Sequence, residues 1–167
     1  MLLLRQCGIK CGLISGTAYN STTSGTHTWN IVRINGMTFY CDTTWDDPFN
    51  QTECQYYYFN VPMMTQHVPN GIDPETTKTL SMTWQAITGS LIREGSSPDD
   101  WISLIAGRIN DGGKSNIRFE SKKDYDAFKE NFQYYVEKIF SRIRSVNNWS
   151  CIYSFNDEQY CCSIMIQ

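Results

Sequence analysis

The sequence predicts an α+β fold, and three observations predict it. A β-rich hairpin pattern is centred on Asn35-Gly36, the strongest short hairpin signal. A stripe of apolar residues at helical spacing runs through 122–144. Two further strand-like runs follow that stripe and close the chain, so helices and sheet segregate into layers. The 167 residues divide softly near residue 75, into a region 1–75 and a C-terminal α+β region 76–167.

Taken in order, the opening residues Leu2-Leu3-Leu4 read as the end of a helix, with Gly8 just past its C-terminus. Ile9 to Ser15 is a short strand, and residues 17–25 (TAYNSTTSG) read as a polar loop. His27–Ile34 and Met37–Thr44 are the hairpin strands, because Asn and Gly tolerate the positive φ of a type I′ turn. Residues 45–79 are irregular, with Trp45-Asp46-Asp47-Pro48, an aromatic run from Tyr56 to Phe59 and a loop through Pro74.

A helix begins at Ser97-Pro98-Asp99-Asp100, which combines a cap, an early Pro and early acids. It runs to about Asn110 and stops at Asp111-Gly112-Gly113. Ile117–Glu120 is a strand. A single long helix from Lys122 to Arg144 buries Tyr125, Phe128, Phe132, Tyr135, Val136, Ile139, Phe140 and Ile143 on one face as core. Strands near 149–155 and 160–166 flank a turn at Asn156-Asp157-Glu158.

Composition limits the function classes. There are 14 basic and 17 acidic side chains, a formal net charge of −3. That balance gives no electrostatic case for nucleic acid or for an anionic membrane surface. Aromatic residues at 14% are too abundant for a disordered chain. No apolar run approaches the roughly 18 residues of a membrane span. Met-Leu-Leu-Leu, interrupted by Arg5, is too short for a signal peptide, so localisation is left open.

Seven cysteines stand at 7, 11, 41, 54, 151, 161 and 162. No C-x-x-C pair occurs, and the count is odd, so neither a zinc ribbon nor a disulfide framework is indicated. Most are expected to be buried small hydrophobes, a bridge staying open for a secreted protein. No metal or other cofactor is called for.

Carrying the hairpin register outward from Ile34 opposite Met37 puts residues 27, 29, 42 and 44 on one face. His27 and Asp42 are then diagonal neighbours, with backbones about 7–8 Å apart. A carboxylate there accepts from one imidazole nitrogen and leaves the other free, which is the base and orienter of a nucleophilic triad. A plain polar contact between a sheet-face His and Asp is the alternative. The second histidine, His67, lies beside Val68-Pro69 with no acid at a suitable spacing and is expected on the surface.

Three segments come in one order with short gaps: Gly8-Ile9-Lys10-Cys11-Gly12-Leu13-Ile14-Ser15-Gly16, then His27-Thr28-Trp29-Asn30-Ile31-Val32, then Tyr40-Cys41-Asp42-Thr43-Thr44-Trp45-Asp46-Asp47-Pro48. Together they resemble the bacterial transglutaminase-like superfamily, with its GIxCxxVxG, HAWNxV and YxVDxTWDDP pattern. Tyr58-Phe59-Asn60-Val61 is similar to it as well. The resemblance is tight over about residues 1–66 and loose beyond.

It implies a papain-like antiparallel sheet core with a C-terminal extension, and a Cys-His-Asp triad in which His27 and Asp42 match the His and Asp. The family's nucleophilic Cys heads a helix preceding the GIxC segment, where the helix N-terminus favours a thiolate. No residue here matches it, so the chain is expected to be N-terminally shortened and inactive as written. Cys7 at a helix end, Cys11 entering a strand and Cys41 on the face opposite Asp42 are poor substitutes.

The implied chemistry is thiol-based acyl transfer or hydrolysis of an amide or peptide bond, with a peptide or protein substrate. The alternatives are a non-catalytic module that binds a peptide or cell-wall component, and a non-functional gene fragment. Relatives of full length are expected outside the cell or in its envelope. A missing central helix would leave an apolar face that invites self-association.

Overall fold

A computed structural model describes residues 2–47, 54–144 and 150–166. Pro48 of the Trp-Asp-Asp-Pro run and the expected strand start at 149 lie outside the described residues. Helices and mostly antiparallel sheets make an α+β protein, as the patterning predicts. Among the described residues no helix is long and apolar enough to cross a membrane. The chain divides into two compact units, Met1–Trp84 and Gln85–Gln167. The break comes later than residue 75, because Thr77 N–H donates to Thr38 O and holds this segment to the first unit.

In the first unit, α1 (Leu2–Gln6) ends at Gly8, whose φ of +77° lets Ile9 N–H reach Leu4 O. Then come β1 (Lys10–Tyr19), β2 (Ser24–Ile34) and β3 (Met37–Cys41). The short helix α2 (Thr43–Asp46) and the strand β4 (His67–Pro69) follow. The sheet order is β3-β2-β1-β4, antiparallel throughout.

The Asn35-Gly36 turn forms as expected, with φ of +51° and +79°, and sets the register Ile34 to Met37 through Asn30 to Cys41. Two expectations fail in this unit. Residues 17–25 are not one loop: β1 continues to Tyr19 and β2 starts at Ser24. Thr and Tyr there pair across the strands, and the turn shrinks to Asn20–Thr23, where Asn20 Oδ1 accepts the Thr22 and Thr23 amides. The second strand of the hairpin also ends early, at Cys41 rather than Thr44, because Asp42 caps a helix turn.

The second unit begins within α3 (Trp84–Ile87) and continues with β5 (Leu91–Ile92) and α4 (Pro98–Gly112). Beyond these lie β6 (Lys114–Phe119), α5 (Lys122–Glu130), α6 (Phe132–Phe140), β7 (Cys151–Asn156) and β8 (Cys161–Ile166). Its sheet order is β5-β6-β8-β7, with only β5 and β6 parallel. Ser97 and Asp100 form a reciprocal capping box, and Gly113 at φ +73° closes α4.

The expected single helix over 122–144 breaks at Asn131, whose φ and ψ are −108° and 27°. Both the backbone amide and the side chain of Asn131 donate to Ala127 O, so the residue closes α5 as its C-cap. The predicted apolar face still forms the core: Tyr125, Phe128, Tyr135 and Ile139 pack with Trp101, Ile105 and Phe119. Burying each such side chain contributes about 1.5–3 kcal/mol.

None of the seven cysteines is in a disulfide. Only Cys41, Cys161 and Cys162 are buried, fewer than expected, since Cys11, Cys54 and Cys151 are half-buried and Cys7 is exposed.

Candidate functional site

The site grows from the sheet of the first unit. On β1, Gly16 stands opposite His27 of β2, and Ala18 stands opposite His67 of β4. Gly16 and Ala18 are two apart, so both histidines rise from the same face of the sheet, one on either side of β1. Trp29, opposite Ile14, shares that face. The small residues between are required for contact. A Cβ on Gly16 would lie 2.1 Å from Val68 O and 2.8 Å from the Trp29 ring.

Asp42 reaches the histidines from the end of β3. Its extended backbone (φ −121°, ψ 98°) makes it the N-cap of α2, and Oδ1 accepts the amides of Thr44 and Trp45 at 3.0 and 3.2 Å. That leaves Oδ2 aimed at the sheet face. It lies 2.5 Å from His27 Nε2 and 2.9 Å from His67 Nε2. The expected His27–Asp42 proximity is therefore present, but through a helix cap and not through the diagonal pairing of two strands.

His67 corrects the sequence reading. It is a buried residue of β4, not a surface loop residue, and its partner is Asp42. Its ring packs 4.4 Å from Trp45 and edge-on to Trp29 at 5.0 Å. No local sequence signal announces it, because β4 has three residues and forms only by pairing with β1. The cap at Asp42 has a local signal, Asp followed by Thr-Thr-Trp-Asp, but the strand reading of 37–44 passed over it.

The electrostatics follow from burial. Asp42 is 1% exposed, and burial is the largest single influence on its carboxyl, opposing ionisation. The hydrogen bonds from His67, His27 and the Trp45 amide together outweigh it and hold the pKa below the ordinary carboxylate value. His27 is partly open to solvent, and among the described residues its Nδ1 has no hydrogen-bond partner. An ionised carboxylate only accepts, so Nε2 of the neutral ring carries the proton and Nδ1 presents a lone pair. The arrangement can take a proton from a group placed against Nδ1 and stabilise the imidazolium that forms.

Among the described residues no cysteine sulfur joins this cluster. Cys41 is opposite Asn30, on the other face of the sheet from His27. Burial, and then the nearby Asp46, push its thiol up to about 11. Cys11 is opposite Val32, also on the other face, and about 16 Å along β1 from Gly16. Cys7 is exposed at the end of α1.

Nε2 of His27, Nε2 of His67 and a carboxylate oxygen of Asp42 lie within 4.8 Å of one another, a donor set suited to a divalent metal. The distances suit hydrogen bonds better. Two ligands around a tetrahedral zinc are about 3.3 Å apart, given bonds of about 2.0–2.1 Å. A metal-bound imidazole also donates its second nitrogen to an acceptor. Nδ1 of His67 is buried with no such partner.

Beside His67 opens a cavity of about 530 Å³, with Trp29, Tyr40, Met64, Asp73 and Lys78 in its wall. The Tyr40 hydroxyl meets the Asp73 carboxylate and Pro74 O, and burial followed by Asp73 raises its pKa. Compared with known proteins, the chain matches no family model and no curated protein sequence.

Proposed function

We propose that the first unit serves thiol-based acyl transfer, or hydrolysis, at an amide or peptide bond, as in the transglutaminase-like proteins that its motifs resemble. The observation that carries this reading is the 2.5 Å contact between His27 Nε2 and Asp42 Oδ2, with Nδ1 of a partly open ring left bare. In this scheme a thiol against Nδ1 loses its proton to His27 and attacks the amide carbonyl. His27 then protonates the leaving amine, and Asp42 orients the ring and stabilises its charged form. The cavity beside His67 gives a peptide side chain room to enter.

The second reading is a binding module that holds a peptide in this cleft without chemistry. It draws support from the described cysteines, none of which joins His27 and Asp42. One experiment separates the two. Ammonia and peptide release are measured for this chain and for a version extended at its N-terminus by a helix that opens with Cys. Turnover in the longer version that is lost on alkylation and in His27→Ala supports the enzyme. Silence in both versions, with saturable peptide binding, supports the module. Alkylation-sensitive turnover in the short chain, lost in Cys7→Ala or Cys11→Ala, would place the nucleophile elsewhere than proposed.

A further inference from the structure

We infer that His67 is a positioning residue: by donating Nε2–H to the carboxylate oxygen that also takes His27, it keeps Asp42 an acceptor and so keeps Nδ1 of His27 bare. The catalytic meaning of this inference rests on the function proposed above, but the hydrogen-bond arrangement stands without it.

Every lone pair of Asp42 is in use. An ionised carboxylate offers about four acceptor positions. At Asp42 four N–H donors fill them: the Thr44 and Trp45 amides on Oδ1, and the two imidazoles on Oδ2. No position is left for a proton unless a donor is displaced. Without His67, one lone pair of a carboxylate that is 1% exposed has no partner. Burial then favours the protonated acid. A protonated Oδ2 would donate to His27 Nε2, and the ring proton would move to Nδ1. The nitrogen needed as base would be blocked.

The location fits this role and no simpler one. The side chain of His67 is fully buried, and its ring is clamped by Trp45, Trp29 and Tyr58. A residue needed only to fill this space would be apolar. The imidazole instead carries a buried Nδ1 with no partner, an unfavourable feature that its bond to Asp42 offsets. Other titratable groups close to Asp42 are Cys41 before it in sequence and Asp46 at the end of α2; a proton bound by either would be read as a separate step.

The test is nuclear magnetic resonance on this chain, reading imidazole ¹⁵N shifts and the Asp42 carboxyl ¹³C shift against pH. In the unmutated protein, the neutral rings of His27 and His67 are both expected as the Nε2–H tautomer. In His67→Phe the Asp42 midpoint is expected to rise by about one pH unit or more, a tenfold change in proton affinity, and wherever Asp42 is protonated beside a neutral His27 that ring is expected as Nδ1–H. His67→Gln, whose amide can donate from a similar place, is expected to keep the original midpoint and tautomer.

An Nδ1–H tautomer at His67 in the unmutated protein overturns the inference, and that measurement needs no variant to fold. So does a folded His67→Phe with the Asp42 midpoint and His27 tautomer unchanged. Absence of acyl transfer in the longer chain would leave these spectra as they are, so the two proposals fail separately.

Discussion

Asp42 Oδ2 lies 2.5 Å from His27 Nε2 although Asp42 stands outside the β1–β2 ladder that carries His27. The carboxylate is aimed by a helix cap: the Thr44 and Trp45 amides hold Oδ1 and turn Oδ2 toward the sheet face. The pairing of β2 with β1, which carries His27, and the N-cap at Asp42 thus converge on one dyad.

Removing this carboxylate should be far more disruptive than replacing a surface acid. Asp42→Ala leaves two imidazole donors and two amides without an acceptor, and is expected to destabilise the first unit by about 3–5 kcal/mol. Asp42→Asn keeps an oxygen for the cap and should cost about 1–3 kcal/mol. Urea unfolding followed by tryptophan fluorescence checks this, since Trp29 and Trp45 flank the histidines. Wild-type stability in Asp42→Ala would contradict the network.

The acid limb of the stability curve should carry the Asp42 signature. Its folded pKa is lower than the ordinary 3.8, so its stabilisation is fully present above that value. The stabilisation is lost as pH falls from there through the lower, folded-state pKa. Asp42→Asn should flatten that portion of the curve between pH 5 and the acid extreme. An unchanged acid limb would mean that Asp42 is not the group titrating there.

Gly16→Ala probes the closeness of β1 to β4. The new methyl would collide with Val68 O and with the Trp29 ring, and both are held by sheet pairing and packing. A loss of about 1–3 kcal/mol is expected. The His67 resonances should move with it, because β4 must shift. Gly25→Ala, where nothing lies within 4 Å, is the control and should be close to neutral.

Alkylation should rank the thiols. Cys7 is exposed and should react first. At pH 8 a thiol with a pKa of about 11 is about one part in a thousand thiolate, so Cys41 should stay unmodified until the unit unfolds. Burial likewise raises the Cys162 thiol well above its ordinary range. Mass spectrometry of iodoacetamide-treated protein reads the order, and early modification of Cys41 would contradict its placement.

The parts of this protein legible from sequence are those that neighbouring residues decide. The Asn35-Gly36 turn sets the register through Asn30 and Cys41 because the two strands are adjacent in the chain. Ser97, Asp100 and Gly113 bound α4 because caps act within one helical turn. His27 and Asp42 could be paired on paper because they lie on either side of that turn. The helix break at Asn131 was hidden, since the apolar stripe continues across it with little change of face.

What only the tertiary structure decided is the third member of the cluster. His67 occupies a strand of three residues that would not form alone, and its pairing with Ala18 closes a long loop. No local pattern encodes that closure. It follows from packing Trp29 and Trp45 around an imidazole and from satisfying a carboxylate that has left water, and both exist only once β4 has docked on β1.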